Sequence, residues 1–139
     1  ALLVVDFGNH DAIQKEFGRE VADNALVLAA ARLRSVVRDV DTAARVDDHA
    51  FALLIEGPCT AQHALDVATH AVARGLQESE ILPPSEGLRF RVALAVLPQD
   101  GSDASSVLAR LLDEARQIGA DAKKTIRTVQ FTGNGAPPR

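Results

Sequence analysis

TAARVDDHAFALLI, residues 42–55, is the stretch whose reading decides the fold. Two short runs, Thr42–Val46 and Phe51–Ile55, have strand character and are separated by four residues. So short a connection predicts an antiparallel hairpin. The tip holds Asp47, Asp48 and His49, where glycine is the usual turn residue. A histidine with carboxylates is an acceptable donor set for a divalent metal. Three solvated polar residues in a turn are the plainer account, and no spacing of the HxxEH kind favours the metal.

Upstream of the hairpin, Leu2–Asp6 is an unbroken apolar run ending in an acid, as expected of a strand buried on both faces. Residues 9–17 predict a short helix ending near Gly18. Glu20–Arg38 predicts a long helix: Ala22, Leu26, Ala29, Leu33 and Val36 recur at helical spacing, and Arg32, Arg34 and Arg38 fall off that stripe. Downstream, Thr60 is the expected N-cap of a helix reaching about Arg74, with Gly75 as its stop. Residues 82–87 and 98–103 read as loops. Phe90, Val92, Leu94 and Val96 alternate, which predicts a strand with one buried face. Val107, Leu108, Leu111, Leu112, Ala115 and Ile118 form the stripe of a helix stopping at Gly119, and Thr125–Phe131 reads as a last strand. The order βααββαβαβ predicts an α/β (α+β) two-layer sandwich of the ferredoxin-like, palm type with a mixed five-stranded sheet. Residues 1–131 are expected to form one domain and residues 132–139 a linker or tail. An opening inside a buried strand suggests a piece of a longer chain.

The 139 residues suffice for one hydrophobic core, and 47% apolar with 24% charged residues is ordinary globular composition. A net charge of −4 argues against general binding to nucleic acid or anionic membranes. Arg32, Arg34 and Arg38 lack interleaved aromatics, and the chain has no Trp or Tyr on which bases could stack. Cys59 is the one cysteine, which excludes an intrachain disulfide and fits a reducing, cytoplasmic setting. It is read as a packing residue. His10 and His63 stand alone and are read as surface or partly packed. No apolar run reaches the roughly 20 residues that span a bilayer.

Four segments in order and at the right spacing carry a resemblance. ALLVVDFGNHDAIQKEFGREVADNAL (1–26) is similar, without a gap, to ALLLLDLDHFKxINDTYGHxxGDxxL. RDVDTAARVDDHAFALLIEG (38–57) resembles RxxD, five residues, GGDEF and a strand. FRVALAVLPQDG (90–101) is similar to a TVSIGVA strand and loop, and LLDEARQIGAD (111–121) to an ADxALYxAKxxGRN helix. Together they resemble the GGDEF domains of bacterial diguanylate cyclases, which condense two GTP molecules into cyclic di-GMP on a nucleotidyl cyclase fold. The opening helix with its DxLT segment has no counterpart here.

The resemblance implies a degenerate member. The GGDEF signature is replaced by Asp47, Asp48, His49, Ala50 and Phe51, of which only the core residue Phe51 is kept. Glycines there let the family's hairpin approach substrate phosphates. Aspartates add bulk and like charge, on the order of 4 kcal/mol per contact at about 4 Å and an effective dielectric of about 20, before screening. Asp6 matches the first metal-binding acid. Gly8 stands where a second is usual, and His49 and Ala50 replace the signature's two acids, so a vestigial metal site reduces to Asp6 and His49. Gln14 replaces an asparagine that binds guanine, Asp23 keeps the matching acid, and Asp11 reverses a phosphate-facing lysine. Arg116 replaces the phosphate-binding lysine of the last helix, and Ala120 loses the arginine after it. Phosphoryl transfer depends on positioned cations and donors. Most are gone, so no catalytic residue and no cofactor are expected, with Mg2+ only if residual nucleotide binding survives.

Arg38 and Asp41 keep the RxxD pattern, which the resemblance assigns to an inhibitory site for cyclic di-GMP. An arginine can grip a phosphate or a guanine edge with two donors, and an aspartate can accept from guanine N–H groups. The second arginine of such a site falls near His70, with Arg74 one turn on. A plain helix end is the alternative. The expected function is an inactive regulatory or receptor module of bacterial cyclic di-GMP signalling, with a neighbouring sensor or EAL domain and self-association as partners. The rivals are a scaffold that binds no nucleotide, a weak diguanylate cyclase using Asp6, His49 and Arg116, and a GTP-binding effector domain using Gln14 and Asp23.

Overall fold

The computed structural model describes residues 1–80, 82, 87–96, 104–118 and 124–129. In chain order the elements are β1 (Leu2–Phe7), α1 (His10–Phe17), α2 (Arg19–Ser35), β2 (Thr42–Asp47), β3 (Ala50–Leu54), α3 (Ala61–Gly75), β4 (Phe90–Ala95), α4 (Ala104–Gln117) and β5 (Ile126–Thr128). They form one five-stranded sheet in the order β2-β3-β1-β4-β5. β1 is central and antiparallel to β3 and β4, β2 pairs antiparallel with β3, and β5 runs parallel to β4. The sheet is therefore mixed, as the element order predicts.

Each face of the sheet has its own helical cover. Leu3, Val5 and Phe7 of β1 join Phe51, Leu53, Phe90, Val92 and Leu94 in a cluster with Ala22, Ala25, Ala29 and Leu33 of α2 and Ala64, Ala68 and Ala71 of α3. The other side of β1, Leu2 and Val4, packs with Ala93, Ala95 and with Val107, Leu111 and Ala115 of α4. β4 is consequently buried at every position, which corrects the expectation of one buried face. The apparent alternation came from its small residues: Ala93 and Ala95 lie under α4, and strands covered on both faces need no polar side.

Local chemistry explains the element ends. Gly18 takes φ of 93°, a conformation costly for residues with a Cβ, and so lets α1 run directly into α2. Thr60 caps α3 as expected, its Oγ1 accepting from the His63 N–H at 3.0 Å. Gly75 closes α3 against β4, where a Cβ would lie 2.5 Å from the Leu88 carbonyl oxygen. α2 ends at Ser35, earlier than the periodicity implied, so Arg38 belongs to the turn that follows. Arg32 is not a solvated off-stripe residue either. It is buried, and its guanidinium donates to the carbonyls of Arg74, Gly75 and Glu78 at 2.9, 3.0 and 3.1 Å. Gly119, Ala120, Phe131, the 98–103 loop, most of the 82–87 loop and the 132–139 tail lie outside the described residues.

Candidate functional site

The hairpin tip, the end of β1 and α4 meet at one corner. The tip is irregular, with a register shift between Arg45 and Asp47. The Asp48 N–H donates to Asp47 Oδ1 at 2.7 Å, and Arg45 donates to the carbonyls of Asp47 and Asp48. The Asp47 carboxylate also accepts from Arg116 of α4. The Asp48 amide first, and then Arg116, hold that carboxyl below the usual aspartate range. The two charges that nearest face this corner from the hairpin and from α4 thus neutralise each other.

His49 folds back over the end of β1. Its carbonyl accepts from the Phe7 N–H at 2.8 Å. Its Nδ1 lies 3.2 Å from Asp6 Oδ1, without hydrogen-bond alignment. Its ring stacks on His10, centroids 5.5 Å apart and planes 20° apart, and His10 meets the edge of Phe7. His10 is buried, with neither ring nitrogen hydrogen-bonded, so of its reading as surface or partly packed the surface half is corrected and it is more fully packed than expected. Its place beside the hairpin tip depends on the β1–α1 turn and carries no spacing signal.

The residues of this corner do not fit a divalent cation of the magnesium type, which wants several oxygen donors in near-octahedral array. Asp6 is buried on β1, but Gly8 and Ala50 offer no side-chain oxygen and Asp47 is committed to Arg116. Among the described residues no three His, Cys, Asp or Glu side chains converge on a common point.

The remaining nucleotide-related residues are dispersed. Gln14 is exposed on α1. Asp23 is exposed on α2, 4.0 Å from Arg19, and lines a groove of about 770 Å³ between α2 and β2 with Leu26, Ala30, Ala43 and Phe51. Arg116 instead faces Asp47. The structure therefore joins Arg116 to the hairpin tip and leaves Gln14 and Asp23 on the α1 and α2 side.

Arg38 and Asp41 lie at the opposite end of the hairpin, Asp41 six positions from Asp47, or roughly 20 Å at the strand rise of ~3.4 Å. Asp41 is buried, its side chain 2% exposed, and its carboxylate accepts four hydrogen bonds. Arg38 gives three of them: Nε at 3.1 Å, Nη2 at 2.9 Å and the backbone N–H at 2.9 Å. The fourth comes from the Glu56 N–H at 3.0 Å. The Arg38 guanidinium above all, and then the backbone donors, hold the Asp41 carboxyl well below the usual range. Arg38 itself stays 58% exposed. Asp41 is thus the internal anchor of the pair and Arg38 its solvent-facing member. His70 is exposed on α3. Arg74, one turn later, donates to Ser35 Oγ at the end of α2 at 3.1 Å, next to the turn that carries Arg38.

Sequence reasoning passed over Arg91. It is buried on β4, opposite Asp6 in the sheet register, and its guanidinium lies over Gly8. An arginine among the alternating residues of a strand reads as solvent-facing, and only its burial beside Gly8 in the folded sheet reveals otherwise.

The sequence model described as diguanylate cyclase, GGDEF domain, matches residues 1–128. The bifunctional diguanylate cyclase/cyclic di-GMP phosphodiesterase MucR of Pseudomonas aeruginosa is 33% identical over 104 residues, which is 73% of this chain and 15% of that protein. Among solved structures, an EAL/GGDEF domain protein from M. capsulatus superposes with a TM-score of 0.76 at 27% identity, over 91% of this chain and 82% of that one. The S helix-GGDEF-EAL portion of Vibrio cholerae LapD, bound to c-di-GMP, superposes with a TM-score of 0.74 at 13% identity, over 99% and 32% of the two chains. The last likeness is one of fold. No helix among the described residues is long and apolar enough to cross a membrane.

Proposed function

The chain belongs to the GGDEF domain family, and on that premise we propose that it is a catalytically inactive GGDEF module that regulates a protein of cyclic di-GMP signalling. The observation that carries this reading is the pairing of Asp47 with Arg116. A catalytic corner for GTP needs uncompensated cations aimed at the phosphates. Here the cation of α4 is already matched by an aspartate of the hairpin tip. Asp48 adds a further negative charge, and Asp6 keeps no companion oxygen donor at positions 8 or 50. An EAL domain is the neighbour this reading assigns, since the chain spans 15% of a relative named for both activities. GTP incubated with the protein and Mg2+ or Mn2+ is expected to yield no cyclic di-GMP above a buffer control. Product formation abolished by Asp6→Ala would establish the rival reading, a weak cyclase.

A second observation favours a ligand role within this module. Arg38 is held by two side-chain bonds to a buried carboxylate, yet more than half of its side chain faces solvent. That arrangement pre-orients a guanidinium toward an anion, because its rotamer entropy is already lost before binding. Cyclic di-GMP is the ligand we assign to it, with the phosphate on Arg38, and with His70 or Arg74 of α3 supplying the second contact. Calorimetric titration is expected to show saturable binding of cyclic di-GMP that weakens at least tenfold in Arg38→Ala. Absence of binding by cyclic di-GMP and by GTP would leave the module as a protein-interaction scaffold. Saturable GTP binding without turnover would move the ligand to the α2–β2 groove beside Asp23.

A further inference from the structure

We propose that Arg91 is the resident cation of the Asp6 corner, that its guanidinium excludes a divalent metal from it, and that Gly8 is the residue that admits it. The inference rests on the inactive reading above and supplies a physical cause for it.

Three observations on one face of the sheet converge. Asp6 of β1 and Arg91 of β4 stand directly opposite each other in the antiparallel register, so both side chains leave the sheet on the same side. Both are buried, Asp6 at 6% and Arg91 at 6% exposure. At Gly8, two residues beyond Asp6, a Cβ would lie 1.3 Å from Arg91 Nη1 and 2.4 Å from its Cζ. A side chain at position 8 and the guanidinium cannot both hold that place, so the guanidinium would have to shift. Gly8 and Arg91 are therefore one device: the missing side chain is the space the guanidinium fills.

The chemistry follows from what an arginine is. Its charge is permanent at any ordinary pH, and it donates without being able to accept or ligate. A metal at Asp6 would have to bring two further positive charges beside a fixed one in a water-poor corner, where like-charge repulsion is weakly screened. It would also find no second carboxylate at position 8, where glycine has no side chain and the guanidinium takes the space. The pair accordingly removes the space and the ligand together, and it puts a permanent positive charge on the face of the sheet that Asp6 shares.

The test is Mn2+ binding to the purified chain, read by electron paramagnetic resonance of the free ion, a readout independent of turnover. Wild type is expected to leave Mn2+ free at millimolar concentrations. Arg91→Thr should bind one Mn2+ per chain at least tenfold more tightly than wild type. Gly8→Asp combined with Arg91→Thr should bind more tightly again, and adding Asp6→Asn should abolish the gain. If the double variant fails to fold by circular dichroism, Arg91→Thr alone decides, since it adds no atoms at position 8. The inference is overturned if wild type binds one Mn2+ that Asp6→Asn removes, or if folded Arg91→Thr binds no better than wild type. A wild type that makes cyclic di-GMP would overturn the inactive reading; an inactive wild type whose folded Arg91→Thr variant gains no metal overturns this inference alone.

Discussion

Replacing Asp41 with alanine is expected to destabilise the domain by about 2 kcal/mol, because two backbone amides lose a buried charged acceptor while the half-exposed Arg38 guanidinium regains water. Four donors lose their acceptor at once: Arg38 Nε, Nη2 and backbone N–H, and the Glu56 N–H. The two backbone amides belong to the segments that enter and leave the hairpin, so the loss falls on the junction of α2, β2 and β3. Chemical denaturation of wild type and variant measures it. A change within 0.5 kcal/mol, the size of an ordinary surface substitution, would show that Asp41 is not the anchor described. The same variant should bind cyclic di-GMP more weakly under conditions where it remains folded, since Arg38 loses its orienting partner. The pH dependence has a definite sign. The Asp41 carboxyl is depressed in the folded state, chiefly by the Arg38 guanidinium. Its contribution is therefore complete above the unfolded aspartate value of about 3.9 and is lost as pH falls below it toward the folded value. Wild type should lose stability between about pH 5 and pH 2 more steeply than Asp41→Ala does.

Arg32→Met should cost about 2–3 kcal/mol, although methionine conserves much of the apolar stem and the substitution removes a buried charge. Arg32 closes the C-terminal end of α3. The last carbonyls of a helix have no partner within it, and here those of Arg74 and Gly75, with that of Glu78 just beyond, receive the guanidinium. Burial and the nearby Arg74 charge both work against the charged guanidinium, and the three carbonyl oxygens offset that penalty. Methionine removes the guanidinium from all three, leaving the Gly75 oxygen to the Leu88 N–H and the Arg74 oxygen to the Gln77 N–H. Arg32→Lys should recover only part of the loss, because an ammonium cannot span three acceptors with the fixed fork of a guanidinium. Thermal or denaturant unfolding distinguishes the three forms. Equal stability of wild type and Arg32→Met would mean that water serves those carbonyls equally well.

Most of the fold was legible because its signals are local. The hairpin, the Thr60 cap, the helical stripes and the element order each depend on residues within one or two turns of one another. The mixed five-stranded sheet followed from that order. The misreadings share a different cause. Arg32 falls off the apolar stripe of its helix and is buried because its guanidinium reaches the end of α3, and Arg91 drew no notice in the sequence and is buried beside Gly8. His10 looked isolated along the chain and stacks on His49 across 39 residues of sequence. Arg38 was given to a helix that ends at Ser35, since apolar spacing continues past the point where the backbone turns.

The candidate site divides along the same line. The identities at positions 8 and 50 were enough to argue that two acids of the resemblance are missing, because glycine and alanine offer no side-chain oxygen in any conformation, and Asp47 and Asp48 put negative charge where glycines are usual. Composition of that kind is a property of the chain. What fills the vacated space is a property of the packing. Only the tertiary structure pairs Asp47 with Arg116, lays the Arg91 guanidinium over Gly8 and turns Asp41 inward as the anchor of Arg38. Those arrangements depend on distances between residues up to 83 positions apart, Gly8 and Arg91, and such distances exist only once the sheet has set its register.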